Sequence, residues 1–275
     1  MSMNLQNGRL SPSAGGGGGL EENIIEPPSF LNNKKTKRNI RNIVTKGKNI
    51  NGITSQTEPI LVIKIGPTGS GKGSPATDKK IESYGINLDN VVDINIDKVV
   101  ESNQNFIKKT RNIKRNFNNK KITNKKNLLK ALSTEYFGTR QAPRKYLNTK
   151  SYLEYLQDVY REAVKGNKNI IVETLGDQEN KITQYLTGFG ASDFDLSNYT
   201  IKILYVHADL NTIQTRVITR ANREYQANRA YRLPNSNFIT NIYPKIEQMY
   251  KTGVDKIIKD YEGKVKSIEK DIVHN

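Results

Sequence analysis

The chain has 275 residues, no cysteine and a formal net charge of +17. These facts exclude a disulfide framework and a thiolate metal site. No apolar run approaches the roughly 20 residues that span a bilayer, and Met1 to Leu20 is polar and glycine-rich without the apolar core of a signal peptide. The expectation is one substantial domain in an intracellular protein, cytoplasmic or packaged in a particle and not secreted. Its basic surface favours polyanions such as nucleic acid.

Residues 1–57 read as a flexible tail. They hold five consecutive glycines (Gly15 to Gly19), Pro27-Pro28, and then seven Lys/Arg with no acid between Lys34 and Lys48. Such composition does not bury enough apolar surface to offset the entropy of ordering. The basic stretch 34–48 is either a solvated linker or a contact for nucleic acid or a partner.

From residue 58 to 275 apolar runs alternate with amphipathic stretches, which predicts an α/β fold: a three-layer sandwich with a mostly parallel sheet flanked by helices. Strands are expected at Ile60–Ile65, Val91–Ile96, Asn169–Glu173 and Ile201–His207. Helices are expected at Asp78–Tyr84, Lys150–Lys165, Asp177–Leu186, Leu210–Arg223 and Phe238–Lys251. The end fits a continued helix or a hairpin turning at Glu262-Gly263, and a final short strand is the preferred reading. Within an insertion around 101–150, Lys108 to Lys130 carries ten basic residues and no acid. Interleaved Phe106, Phe117, Leu128 and Leu129 predict that one side packs while the other faces solvent, as a solvated surface or as a polyanion-binding one.

The first strand runs into Gly66-Pro-Thr-Gly-Ser-Gly-Lys-Gly-Ser74. This has the spacing of G-x-x-x-x-G-K-[ST], whose glycines let backbone N–H groups converge on a phosphate. Gly66, Gly69, Ser70, Gly71, Lys72, Gly73 and Ser74 are therefore the candidate nucleotide-binding residues, with ATP or GTP as ligand. Position eight, where a hydroxyl holds Mg²⁺, is Gly73; Ser74, one residue late, or a water is the candidate substitute. Pro75 follows where a helix would start.

Phosphoryl transfer needs phosphates held, charge neutralised and an acceptor hydroxyl aligned, so further candidates should follow the neighbouring strands. Asp97 can take a proton from a hydroxyl or help hold a metal shell; it can equally cap a helix starting at Lys98. Glu173 ends a hydrophobic strand, where an ionisable group is costly unless paired or beside a ligand. Thr174 lies next to it at the site rim. Arg216, Arg220 and Arg223 share a helix face, and Arg229 and Arg232 lie in a turn-prone stretch that fits a lid closing over phosphates, with Arg220 and Arg232 the strongest candidates.

The order Gly66-Pro-Thr-Gly-Ser-Gly-Lys72, Asn95-Ile-Asp97, Ile171-Val-Glu-Thr174, then Tyr205-Val-His-Ala208 leading to Arg216 and Arg220, resembles the zeta toxin group of P-loop kinases over about residues 58–265. The resemblance implies a phosphotransferase using ATP or GTP and Mg²⁺ to phosphorylate a sugar hydroxyl, such as that of UDP-N-acetylglucosamine; related kinases modify antibiotics or polynucleotide ends. It further implies Lys72 on the nucleotide phosphates and Asp97 as general base. Glu173 is placed toward the substrate, and two arginines, one from Arg216/Arg220 and one from Arg229 to Arg232, are placed on the transferring group. A protein inhibitor or assembly partner fits the same group. Gly73 and the basic insertion depart from a plain sugar kinase and keep two other readings open: a polynucleotide 5′-hydroxyl kinase, and a catalytically weak P-loop scaffold that binds nucleic acid or protein.

Overall fold

The computed structural model describes residues 34–119, 125–141, 151–226 and 236–275. Among them the strands β1 (Ile60–Ile65), β2 (Val92–Ile94), β3 (Ile170–Thr174), β4 (Thr200–His207) and β5 (Ser267–His274) form one sheet in the order β2-β3-β1-β4-β5, with every pairing parallel. The β-branched run of β1 occupies the centre. A strand buried on both faces needs no polar alternation, so it appears in sequence as a continuous apolar run.

A parallel sheet requires crossover helices, and these cover both faces. On one face Leu61, Ile63 and Ile65 pack with Val92, Ile94, Ile170, Val172, Ile201 and Ile203 under α1 (Lys34–Val44), α6 (Tyr152–Lys165), α7 (Asn180–Leu186), α9 (Ser236–Gln248) and α10 (Val254–Tyr261). On the other, Val62, Ile171, Leu204 and Val206 form a smaller cluster with Ile81 of α2 (Pro75–Glu82) and with Ile86 and Val91. Between β2 and α6 lie α3 (Ile96–Glu101), α4 (Gln104–Asn119) and α5 (Lys125–Gln141), and α8 (Leu210–Gln226) follows β4. Because side chains alternate along a strand, Lys64 follows Val62 and Glu173 follows Ile171 onto the smaller, α2-bearing face. The two stand directly opposite each other in the β1–β3 register.

Three expectations are corrected. The tail reading does not hold for residues 34–57: Lys34–Val44 is a helix, Ile50–Gly52 a 3₁₀ turn, and Ile40, Val44, Ile50 and Ile53 are buried in the main core. Arg41 fixes α1 to α6 with a bidentate pair to Glu162 (2.8 and 2.5 Å) and a bond from Nε to the Tyr155 hydroxyl (2.9 Å). Lys168 Nζ ties the following segment down through the Ile53 carbonyl (2.5 Å). Residues 1–33 lie outside the described residues. The strand expected at Val91–Ile96 stops at Ile94, because Asn95 leaves the ladder and its side chain accepts from Lys98 N to cap α3. The preferred reading of the ending, a final strand, holds: the helix runs to Tyr261 and β5 follows, pairing parallel to β4, so no hairpin forms. The helix expected at Phe238–Lys251 gives way after Gln248 to a five-residue π-helical turn, Met249–Gly253.

If the 34–53 segment is part of the core, Ile53→Ala should lower the unfolding free energy by about 2–5 kcal/mol, as for other buried large-to-small changes. Urea denaturation of the full chain measures this; a loss below about 0.5 kcal/mol, the range of surface changes, would contradict it.

Candidate functional site

The loop after β1 curls around its own lysine. Lys72 Nζ donates to the carbonyls of Gly66 (2.6 Å) and Pro67 (3.0 Å), and the side chain is buried. Two glycines make the curl sterically possible. A Cβ on Gly66 (φ +150°) would sit 2.7 Å from the Val206 carbonyl, and one on Gly69 (φ +95°) would sit 2.8 Å from Val217 Cγ2. Any other residue would push the loop off β4 or α8. Ser70 N donates to Pro67 O and Ser74 N to Gly71 O, while the amides of Gly69, Gly71, Lys72 and Gly73 have no acceptor among the described residues. The buried hydroxyl of Ser70 also has no partner there. Loop N–H groups without an acceptor beside a lysine are a candidate anion site.

Glu173 completes the centre. Its Oε1 lies 3.7 Å from Lys72 Nζ and its Oε2 3.8 Å from Lys64 Nζ; Oε2 also accepts a 2.8 Å bond from Asn95 Nδ2. Lys64 Nζ in turn donates to the Lys72 carbonyl (3.2 Å), joining strand to loop. Burial pushes the Lys72 pKa down, while the charges of Glu173 and Asp97 act against that shift. Asp97 lies in the first turn of α3, just after the capping Asn95, and receives a short hydrogen bond from the hydroxyl of Tyr136 on α5. Asn95, not Asp97, is thus the cap. Beside them Lys98 Nζ pairs with Asp93 Oδ2 at 2.6 Å.

The arginines sort themselves. Arg216 reaches the loop, with Nη1 3.4 Å from the Ser70 carbonyl. Arg220, one turn on, is exposed and bound to Glu101 at 3.1 Å, away from Lys72 and Glu173, and Arg223 pairs with Glu224. Arg229 and Arg232 lie outside the described residues. Thr174 ends β3 opposite Ile65, with its side chain partly exposed. Sequence reading missed Lys64, Asn95 and Tyr136. For Lys64 a signal exists: a lysine inside a run otherwise made of Ile, Leu and Val.

The residues present do not fit a Mg²⁺ ion at the loop's end. Gly73 carries no hydroxyl. Ser74, expected as the metal ligand, instead caps α2: its Oγ accepts from Thr77 N (3.2 Å) and donates to Asn275 Oδ1 (2.6 Å). Asn275 also lies against Gly71, where a Cβ would meet its side chain at 3.0 Å. Glu173, the acid on the strand beside the loop, is already engaged by two ammonium groups and an amide. No group of three or more His, Cys, Asp or Glu side chains suited to a metal occurs among the described residues.

No family model matches the sequence, and no curated protein matches it. Among solved structures, one from the characterisation of the PezAT chromosomal toxin–antitoxin system of the human pathogen Streptococcus pneumoniae aligns with a TM-score of 0.51 over 91% of this chain and 78% of that one. The chain shares the fold of that structure. At 12% sequence identity the fold is what the two share. That frame is an all-parallel five-stranded sheet flanked by helices, with the glycine loop leaving its central strand. Among the described residues no helix is long and apolar enough to cross a membrane.

The lowered Lys72 pKa has a stability consequence. A lysine whose folded pKa is depressed gives its full contribution above the unfolded value of 10.5, and that contribution is lost as pH falls through the folded value. Lys72→Met should therefore be more stable than the parent at pH 7, with the advantage shrinking as pH approaches 10.5. Thermal unfolding of both proteins across that range measures the difference; an advantage that grows with pH would contradict the burial argument.

Proposed function

We propose that the chain is a phosphotransferase that moves the γ-phosphoryl group of ATP or GTP to a hydroxyl of a nucleotide-sugar or related small molecule. The observation that carries this reading is the convergence of Lys72, Glu173 and Asp97 at the carboxyl edge of the sheet, beside a loop with four amides left for an anion. A kinase site is an arrangement for holding phosphates and aligning an acceptor, and these residue types in that place supply both.

The roles follow from the chemistry. The loop amides and Lys72 hold the β- and γ-phosphates, and Arg216 adds charge from the α8 side. Glu173 opposes the downward pull of burial on the Lys72 pKa and positions the side chain before nucleotide arrives. Asp97 accepts the proton of the acceptor hydroxyl as its oxygen bonds to the γ-phosphorus. The bond from phosphorus to the β–γ bridging oxygen breaks, and the nucleoside diphosphate leaves with that electron pair. Tyr136 donates to Asp97 and fixes the carboxylate without removing its charge. Arg220 joins the phosphates only by leaving Glu101; the lid around Arg229 and Arg232 and a substrate-side contact by Thr174 belong to the same proposal. The structural relative is described as part of a toxin–antitoxin system; for this chain the corresponding proposal is a protein inhibitor or assembly partner.

A polynucleotide 5′-hydroxyl acceptor is the second reading, and one observation favours it. Tyr136, which touches Asp97, belongs to the helix pair α4–α5, where Lys108, Arg115 and Lys130 are exposed. Phe106 packs edge-on to Tyr136 (5.9 Å), so the basic pair is braced against the candidate base. A polyanion lying on it would end near Asp97.

Purified protein incubated with γ-labelled ATP and UDP-N-acetylglucosamine, 5′-hydroxyl RNA or 5′-hydroxyl DNA separates these readings. Transfer to one acceptor is expected, with Asp97→Asn slower by about 10²- to 10⁴-fold, the usual worth of a general base. Transfer to the polynucleotides that weakens steeply with salt selects the second reading. ATP bound but no transfer to any acceptor would contradict the enzyme and leave the scaffold; full activity in Asp97→Asn would remove Asp97 from the base role.

A further inference from the structure

Sites of this kind take a divalent cation between a hydroxyl at the end of the phosphate loop and an acid on the neighbouring strand. Here the acid is in place as Glu173, while the hydroxyl position is Gly73 and the next hydroxyl, Ser74, is bound to Thr77 and Asn275. Beside Glu173 the chain carries a second buried lysine. Lys64 projects from the centre of β1, is only 4% exposed, and reaches the backbone of the loop at Lys72.

A buried ammonium normally satisfies its three N–H donors. Lys64 spends one on the Lys72 carbonyl at 3.2 Å; Glu173, at 3.8 Å, is an ion-pair neighbour beyond hydrogen-bond reach. The remaining donors have no acceptor among the described residues. They lie at the root of the loop, against the Lys72 carbonyl and 3.8 Å from the carboxylate that also faces Lys72. An ammonium so placed offers the positive charge beside Glu173 that the metal would have offered, with N–H donors that a phosphate oxygen could accept.

We propose that the Lys64 ammonium takes the place of the divalent cation, so that this chain binds the phosphates of a nucleoside triphosphate without a metal. The inference rests on the nucleotide reading above. Lys64, Lys72 and Arg216 together supply the positive side chains facing the phosphates. Gly73 is then the counterpart of Lys64: where the chain carries no metal-binding hydroxyl it carries a fixed cation. A lysine that served only to neutralise Glu173 in the fold would not make nucleotide binding indifferent to metal.

Calorimetric titration of the full chain with ATP, in excess Mg²⁺ and in excess EDTA, tests this. The two affinities are expected to agree within about threefold, and Lys64→Met is expected to weaken ATP by at least about tenfold in both buffers, since with Gly73 in place Mg²⁺ has no loop hydroxyl through which to replace the ammonium. Space around Gly73 is open, since a Cβ there meets nothing within 4 Å. The double variant Lys64→Met with Gly73→Ser should then regain ATP affinity in Mg²⁺ alone. Binding by the parent that disappears in EDTA, or a Lys64→Met affinity equal to the parent's in EDTA, would overturn the metal-free inference while leaving the nucleotide reading intact. No ATP binding in either condition would overturn both. The comparison of the parent protein in the two buffers stands even if the variants fail to fold.

Discussion

Two lysine ammonium groups meet one carboxylate at the carboxyl edge of the sheet, and the rest of the site is arranged around that contact. Glu173 faces Lys64 because β1 and β3 pair in parallel with those residues opposite each other. It faces Lys72 because the loop turns back sharply enough to bring its lysine over β3. A one-residue slip of β3 would turn Glu173 into the apolar core and leave both ammonium groups without their carboxylate. Register, loop conformation and electrostatics are therefore one constraint. Burying ammonium groups costs several kcal/mol each unless paired, and the loop amides provide no negative charge in compensation. The arrangement is poised for an anion.

The outer elements support this centre from both sides. On the side of α3, Asn95 caps the helix and donates to Glu173, so one residue sets both the start of the helix carrying Asp97 and the orientation of the acid. The α4–α5 pair reaches in with Tyr136. On the other side β5 ends at the loop, where Asn275 bridges Ser74 and Thr77 and its backbone N–H bonds to His207 O. The edge strand and the glycine loop are thus joined through a network that also commits the Ser74 hydroxyl.

Much of this was legible in the sequence, and the exceptions have physical causes. The β-branched runs of β1, β3 and β4 are local signals, and they mark the central strands correctly; the glycine spacing is the local signal of the loop. Glu173 stood out because an acid ending an apolar strand requires a partner. Lys64 was passed over because a fully buried strand shows no alternation in sequence, so nothing marks which face a lysine takes. The helix Lys34–Val44 was hidden by its charge: its buried stripe is thin, Ile40 and Val44, and its stability comes from tertiary contacts such as Arg41 with Glu162 rather than from composition. Helical spacing put Arg216 and Arg220 on one face but not where along it the loop would lie. One turn separates a residue that touches Ser70 from one that pairs with Glu101. Ser74 illustrates a competition: a serine before Pro75 makes a strong helix cap, and that use takes the hydroxyl a metal would need.

The central claim is that the cluster of Lys72 with Glu173 is a site for nucleotide phosphates. Its most direct test is equilibrium binding of ATP to the parent protein and to Lys72→Ala, both checked for folding by circular dichroism. The account predicts binding by the parent and an affinity lower by at least about tenfold, or about 1.4 kcal/mol, in the variant. Equal affinity in the two proteins would contradict it.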